Sequence, residues 1–136
     1  METHRQSERN GHAMEDCYNR VELSGQVLTA PTLSHTNHGE SFYRFLLSVP
    51  RLSGQCDELP ILVRQSLLPQ ELPEGTAVTV TGQLRSFNNR SGLGRRLILS
   101  VFARELALTP GAEPANRIRL CGAICKPPIL RSTPLG

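Results

Sequence analysis

The chain of 136 residues has few aromatic side chains and no tryptophan. Aromatic residues make up 4% of the sequence, so aliphatic side chains must fill most of the core. No apolar run is long enough to span a membrane, and residues 1–16 lack an apolar signal region. We therefore expect a cytoplasmic protein without a membrane partner.

The chain also lacks the usual cysteine patterns. Its four cysteines form no CxxC pair, and no histidine lies at zinc-ligand spacing. This favours free, buried or half-buried thiols over a metal site or a disulfide. No nucleophile–base–orienter set, paired carboxylates or phosphate-cradling glycine loop stands out. We expect neither an enzyme nor a bound cofactor or metal.

Lysine is almost absent, because all but one of the 15 basic residues are arginine. The formal net charge is a modest +3. Arginine carries planar, bidentate donors that suit phosphates and can stack on bases. A GC-rich genome would also favour arginine codons, but codon bias does not explain where the arginines lie.

The chain contains an internal repeat. Residues 19–39 (NRVELSGQVLTAPTLSHTNHG) match residues 116–136 (NRIRLCGAICKPPILRSTPLG) at a constant offset of 97. A fixed-period match is typical of a duplicated unit, although two strand–loop segments can also agree by chance. The repeat predicts a domain at 17–110, a linker at 111–115 and the start of a second domain at 116–136. Residues 1–16 are polar and without periodicity, which predicts a disordered extension.

The second repeat holds only one strand of apolar alternation, which cannot satisfy its own backbone hydrogen bonds. Two outcomes remain open for it. Residues 116–136 are disordered, or they add to an exposed strand edge of the first domain or of a neighbouring copy.

Hydrophobic alternation predicts five strands, at about residues 21–27, 41–50, 58–65, 77–85 and 95–108. Residues 29–40 and 86–94 are predicted loops, and residues 66–71 a short helical turn with Ser66 as its N-cap. In the last strand we expect Leu97, Leu99 and Val101 on one side. Five strands with a helix between the third and fourth predict an all-β fold, the five-stranded OB-fold barrel.

Several segments resemble bacterial single-stranded DNA-binding proteins: NRVELSGQV, FYRFLLSVPRLS, GTAVTVTGQLRSFNN and RLILSVFARELAL. The resemblance is closer to a tandem OB-fold subgroup of clostridia-like bacteria, whose second domain opens with a stretch similar to GAICKPPILRSTPLG. It covers about residues 17–136 and implies a chain truncated at the start of its second domain. The stacking tryptophans of the well-known bacterial family are absent here.

Single-strand binders of this fold combine a basic groove with flat side chains on which bases stack. If Tyr43 and Phe45 belong to the core, Phe42 and Arg44 face the groove; the alternative is that Phe42 packs under a loop. Arg51 and Arg64 lie at strand ends and could extend the basic track. His35 and His38 are predicted to be exposed polar residues in the first loop.

The segment from Arg85 to Arg96 is basic and contains no acidic residue. It joins the last two predicted strands, which is one of the two usual binding loops of the fold. Its candidate contacts for phosphates and bases are Arg85, Phe87, Asn88, Arg90, Arg95 and Arg96. The alternative is an ordinary solvated hairpin.

The resemblance implies non-sequence-specific binding of single-stranded DNA in replication, recombination or plasmid transfer. The partners it implies are single-stranded DNA, further copies of the chain, and replication or recombination proteins. The alternative is a protein-interaction OB module, such as a primosome-type adaptor, without strong affinity for nucleic acid. The low aromatic content supports that alternative.

Overall fold

The computed structural model describes residues 18–89 and 96–133. Within them the chain forms a seven-stranded sheet and one 3-10 turn. The elements are β1 (Asn19–Val27), β2 (Thr32–Asn37), β3 (Glu40–Pro50), β4 (Cys56–Arg64), the 3-10 turn (Gln65–Leu67), β5 (Ala77–Asn89), β6 (Arg96–Leu108) and β7 (Ala115–Leu120). Across the described ranges, no helix has the length and apolar character that a membrane crossing requires.

Five of the strands close into a ring. β1 pairs with β5 and, through Gln26 and Val27, with β3. β3 pairs with β4 and β5 with β6, and a parallel contact between β4 and β6 completes the ring. Because the ring is closed, each of these five strands has a neighbouring strand on both edges. The fold is all-β and consistent with an OB barrel, as predicted, and its ring strands correspond to the five predicted strands.

The core lies inside this ring and is almost entirely aliphatic, as the scarcity of aromatic residues requires. Phe45 is the largest of the fully buried side chains. The buried cluster consists of Val21, Leu23, Val27, Phe45, Leu47, Val49, Ile61, Val63, Leu72, Val78, Val80, Val101 and Ala103. Because side chains alternate along a strand, the residues between these positions lie on the outer face of the ring.

Two glycines allow ring strands to approach closely. A Cβ on Gly25 would lie 2.2 Å from the carbonyl oxygen of Ser48, and one on Gly82 would lie 2.0 Å from the carbonyl oxygen of Phe102. Both distances are far below van der Waals contact, so a larger residue would push the strands apart. Gly25 lies where β1 crosses β3.

The predicted loop at residues 29–40 contains a strand, β2, which forms a hairpin with β3. His38 and Gly39 both have positive φ, 51° and 79°, between the paired residues Asn37 and Glu40. This is the pattern of a two-residue type I′ turn. Sequence reasoning missed the hairpin because its turn carries histidine where asparagine is usual.

The predicted helix at residues 66–71 is a single 3-10 turn instead. Ser66 lies inside that turn rather than at its N-cap, and the N-cap position is held by Arg64 without a side-chain hydrogen bond. Leu68 is extended, with ψ at 136°. It precedes Pro69, and a residue before proline is disfavoured in the helical region, so the helix cannot continue.

β5 runs further than the alternation predicts, to Asn89 rather than to residue 85. Its ladder with β6 extends to the pair Asn89–Arg96, so residues 86–89 are strand rather than loop. Cross-strand pairing overrides the weak strand preference of asparagine. Leu99 and Val101 are two residues apart in a regular part of the β5–β6 ladder, so they lie on one side of the strand, but Leu99 is 52% exposed whereas Val101 is buried. Leu99 lies opposite the exposed Ser86, on the part of the hairpin that extends past the core.

Cys56, Cys121 and Cys125 are free, as predicted, but they are exposed rather than buried or half-buried. Cys56 is the first residue of β4, where β4 pairs with the end of β3, and Cys121 and Cys125 follow β7 in the sequence. In residues 18–89 and 96–133, no three His, Cys, Asp or Glu side chains are grouped closely enough to hold a metal ion.

The chain divides into two units, Asn19–Arg119 and a smaller one comprising Met1–Tyr18 with Leu120–Gly136. In the smaller unit the N–H of Cys121 donates to the carbonyl of Tyr18 at 2.8 Å. In the larger unit, β7 lies beside β1 at an edge of the sheet. The start of the second repeat therefore adds to the strand whose sequence it repeats. The predicted domain boundaries and the incomplete second copy stay predictions.

Candidate nucleic-acid interface

The candidate site lies on the outer face of β3, β4, β5 and β6. Phe45 belongs to the core and Tyr43 packs against it. The sequence predicts that Phe42 and Arg44 face the groove in that case. Alternation along β3 places both of these residues on the outer face, where Phe42 is half-buried and Arg44 is exposed.

Strand register brings residues of separate strands together on that face. Phe42 lies opposite Arg64, and Arg44 lies opposite Leu62. Leu62 is paired in turn with Phe102 of β6. Directly opposed residues share a face of the sheet, so the five side chains form a continuous surface.

Phe102 is the centre of this surface and only 8% exposed. The guanidinium carbon of Arg85 lies 4.2 Å from its ring centre, and that of Arg64 lies 5.9 Å from it. Both are within the range of a cation–π contact. The Phe42 ring lies 6.1 Å away and is tilted by 43°. The sequence carried a signal for Phe102, because an inward Val101 implies an outward neighbour.

A glutamine links two arginines at the edge of this surface. Arg85 and Arg104 both donate to Oε1 of Gln83, over 3.1 and 3.4 Å. Arg104 is the extra residue of a bulge in β6, facing the step from Thr81 to Gly82. A bulge re-aims its side chain, which explains why alternation alone did not suggest Arg104.

Histidine joins the aromatic surface from β2. The rings of His35 and Phe42 are stacked, with centres 4.9 Å apart and planes inclined by 13°. His35 is exposed, as predicted from the sequence. Its stacking on Phe42 depends on the β2–β3 hairpin, which the sequence did not reveal.

Arg51 lies away from the cluster, at the far end of β3. It lies nine positions after Phe42 in the sequence, which corresponds to about 30 Å of extended strand. Its Nε donates to Oδ1 of Asp57 over 2.8 Å. This hydrogen bond, helped by the opposite charges, raises the pKa of Arg51 and lowers the pKa of Asp57.

The remaining candidates lie between Ser86 and Leu97 in the sequence. Phe87 and Asn88 lie within β5, and Arg96 opens β6. Arg90 and Arg95 lie outside the described residues. The structure therefore brings together Phe42, Arg44, Arg64 and Arg85 of the predicted set, and adds His35, Gln83, Phe102 and Arg104.

Comparison with known proteins gives structural relatives. No family model matches the chain, and no curated sequence is similar enough to count as a relative. The N-terminal domain of the PriB protein from Thermoanaerobacter tencongensis, solved as a dimer, is 45% identical, with a TM-score of 0.60. The match covers 68% of this chain and 97% of that domain.

More distant matches share the fold. The single-stranded DNA-binding protein of Thermus aquaticus is 23% identical, with a TM-score of 0.66 over 88% of this chain and 64% of that one. The Plasmodium falciparum SSB, solved in complex with ssDNA, is 19% identical, with a TM-score of 0.57 over 68% of this chain and 95% of that one.

Proposed function

The chain belongs to the SSB/PriB-like family of OB-fold proteins, and on that premise we propose that it binds single-stranded DNA without sequence specificity. The role we propose lies in replication, recombination or plasmid transfer. The observation that carries the proposal is the outer face centred on Phe102, where arginines from four strands lie around an aromatic cluster.

The composition of this face suits a single strand. Arg44, Arg85 and Arg104 are exposed and Arg64 is half-buried, so guanidinium groups are available to phosphates. The aromatic cluster offers flat surfaces to bases, and stacking is tolerant of base identity because every base has a π-face. In the free protein Arg64 pairs with Glu40 over 3.5 Å. Such an exposed pair is weak and can be exchanged for a phosphate contact.

We assign the site to Phe42, Arg44, Arg64, Arg85 and Phe102, and we propose that Phe87, Asn88, Arg90, Arg95 and Arg96 extend it. Arg51 is left out of this set, because it follows the far end of β3, about 30 Å of extended strand from Phe42. It therefore serves as an internal control for arginine substitution.

The test is fluorescence anisotropy of a labelled oligo-dT strand, measured over a range of salt concentrations. Arg85→Ala should weaken binding and lower the slope of log affinity against log salt by about 0.7, the value for one phosphate contact on a single strand. Arg51→Ala should leave both quantities unchanged. Equal effects of the two substitutions would remove the Phe102 face from the site.

The same measurement distinguishes DNA binding from the alternative function. A protein-interaction module without strong nucleic-acid affinity would show no salt-dependent binding to oligo-dT at any concentration tested. That result from the wild-type protein would overturn the DNA-binding proposal.

We further propose that the chain associates with itself. The PriB relative was solved as a dimer. In this chain β7 is an edge strand, because it is the last in the strand order β2-β3-β4-β6-β5-β1-β7. An edge strand presents unpaired N–H and C=O groups that a second copy can pair. Sedimentation at increasing protein concentration tests this, and a monomer throughout would refute it.

A further inference from the structure

A bulge in β2 determines which residue meets Phe42. Leu33 lies opposite Tyr43, so regular pairing would place Ser34 opposite Phe42. The register shifts by one residue, and His35 takes that position instead. Bulges of this kind re-aim a side chain. The Ser34 hydroxyl lies 3.1 Å from Nδ1 of His35 in a hydrogen bond, which fixes the orientation of the ring.

The stacked histidine changes what Phe42 can offer. One face of Phe42 is covered by His35, and the Phe102 ring centre lies 6.1 Å from the centre of the Phe42 ring. Phe102 itself is covered by the guanidinium groups of Arg64 and Arg85. Of the three rings, His35 is the exposed one. A base approaching the free protein therefore meets the imidazole before it meets either phenylalanine.

A recess of about 320 Å³ adjoins the histidine. Leu62, Pro60 and Ile98 provide an apolar lining, and Arg44 and Ser100 add polar groups. Its volume lies at the small end of the range for ligand pockets, which suits a single ring system rather than a larger ligand. The guanidinium group of Arg44 can bind the phosphate of the nucleotide whose base enters the recess.

We propose that this recess accepts one unpaired nucleobase of single-stranded DNA, and that the outer face of His35 is the surface on which the base stacks. Phe42 is a positioning residue in this arrangement, because it supports the imidazole from behind. The inference rests on the proposed function, and it names the base contact within it.

A different role for His35 predicts the opposite change in DNA affinity. If His35 merely occupied the place of a base on Phe42, removing it would expose the phenylalanine and strengthen binding. If His35 is itself the stacking surface, removing it must weaken binding. Substitution of this one residue therefore separates the two arrangements by the sign of the change.

The experiment compares His35→Ala, His35→Tyr and His38→Asn by anisotropy with labelled oligo-dT. His38 is the matched control, a histidine in the turn of the same hairpin. His35→Ala should weaken binding by about 5- to 150-fold, the range for losing one stacked base. His35→Tyr should restore most of the affinity, and His38→Asn should leave it unchanged. Unchanged or tighter binding by His35→Ala overturns the inference.

A second measurement needs no substitution. A base stacked on the imidazole should shift the carbon-bound ring protons of His35 upfield in NMR spectra when oligo-dT is added to the wild-type protein. Wild-type binding with the His35 signals unmoved overturns the base site and leaves the proposed function standing. Absence of wild-type binding overturns both.

Discussion

The guanidinium of Arg85 lies over the ring of Phe102, with 4.2 Å between the guanidinium carbon and the ring centre. Arg85 belongs to β5 and Phe102 to β6, and Gln83 between them also accepts a hydrogen bond from the arginine. The contact holds the guanidinium over the aromatic face, and the Arg85 side chain is exposed to solvent. A positioned guanidinium plane can stack on a base and contact its phosphate.

The substitution Arg85→Lys tests whether the planar guanidinium group matters in addition to the positive charge. Lysine keeps the positive charge but loses the planar group that covers Phe102. We expect affinity for oligo-dT to fall by about two- to thirty-fold, the range for one cation–π contact, with the salt slope unchanged. Anisotropy titrations at several salt concentrations measure both. Wild-type affinity in the lysine variant would show that charge alone matters at this position.

Gly25→Ala should strongly destabilise the barrel. The added methyl group would lie 2.2 Å from the carbonyl oxygen of Ser48, and backbone on both sides would have to move. We expect a loss of about 3 kcal/mol or more in the free energy of unfolding, measured by urea denaturation. Gly122, its exposed counterpart in the repeat, is the control, and its substitution by alanine should cost less than about 0.5 kcal/mol. Equal costs would mean that the crossing is not tight.

His38→Asn should stabilise the protein. His38 has a φ of 51°, a region in which asparagine is tolerated better than histidine, and asparagine before glycine is the preferred type I′ pair. We expect a gain of up to about 1 kcal/mol, seen as a higher melting temperature. A lower melting temperature would indicate that the imidazole makes a stabilising contact.

The Arg51–Asp57 pair gives stability a dependence on pH. Arg51 lowers the pKa of Asp57 below its ordinary value of 3.8, so the folded state favours the carboxylate. The stabilisation is present above pH 4 and is lost as the pH falls through the lowered pKa. Asp57→Asn should therefore have a lower urea midpoint than wild type at pH 7, and the difference should shrink at pH 2–3. A constant difference would assign the effect to something other than ionisation.

Deleting residues 115–136 removes β7 and uncovers the outer edge of β1. The residues of β7 after Ala115 are exposed, so the ring should still fold, with a melting temperature lower by less than about 8 °C, or on the order of 1 kcal/mol. Calorimetry measures the change. Loss of cooperative unfolding would show that residues 19–108 are not a self-sufficient barrel.

The sequence predicted the ring strands because their apolar residues alternate cleanly, as in Phe45, Leu47 and Val49. It missed β2, because the residues of that strand are all exposed and it carries no apolar alternation. The predicted helix at residues 66–71 is too long, because Ser66 resembles an N-cap whereas Pro69 keeps Leu68 extended.

The candidate site was less accessible to sequence reasoning than the fold. Arg85 and Phe42 were predicted from local charge and alternation. Phe102 meets Arg85 only through the β5–β6 register, and His35 meets Phe42 only through a bulge. Such pairings depend on which residues face one another across strands, and no local pattern records a shift of one residue.

β1 has neighbours on both sides: β5 along one edge, and β7 and β3 along the other. Its Val21 and Leu23 are fully buried, and the Asn19 side chain both donates to and accepts from the backbone of Leu84. To expose its amides to water, several ladders must separate at once. In deuterated solvent these amides should be among the last to exchange, at a rate set by global unfolding rather than by local fraying.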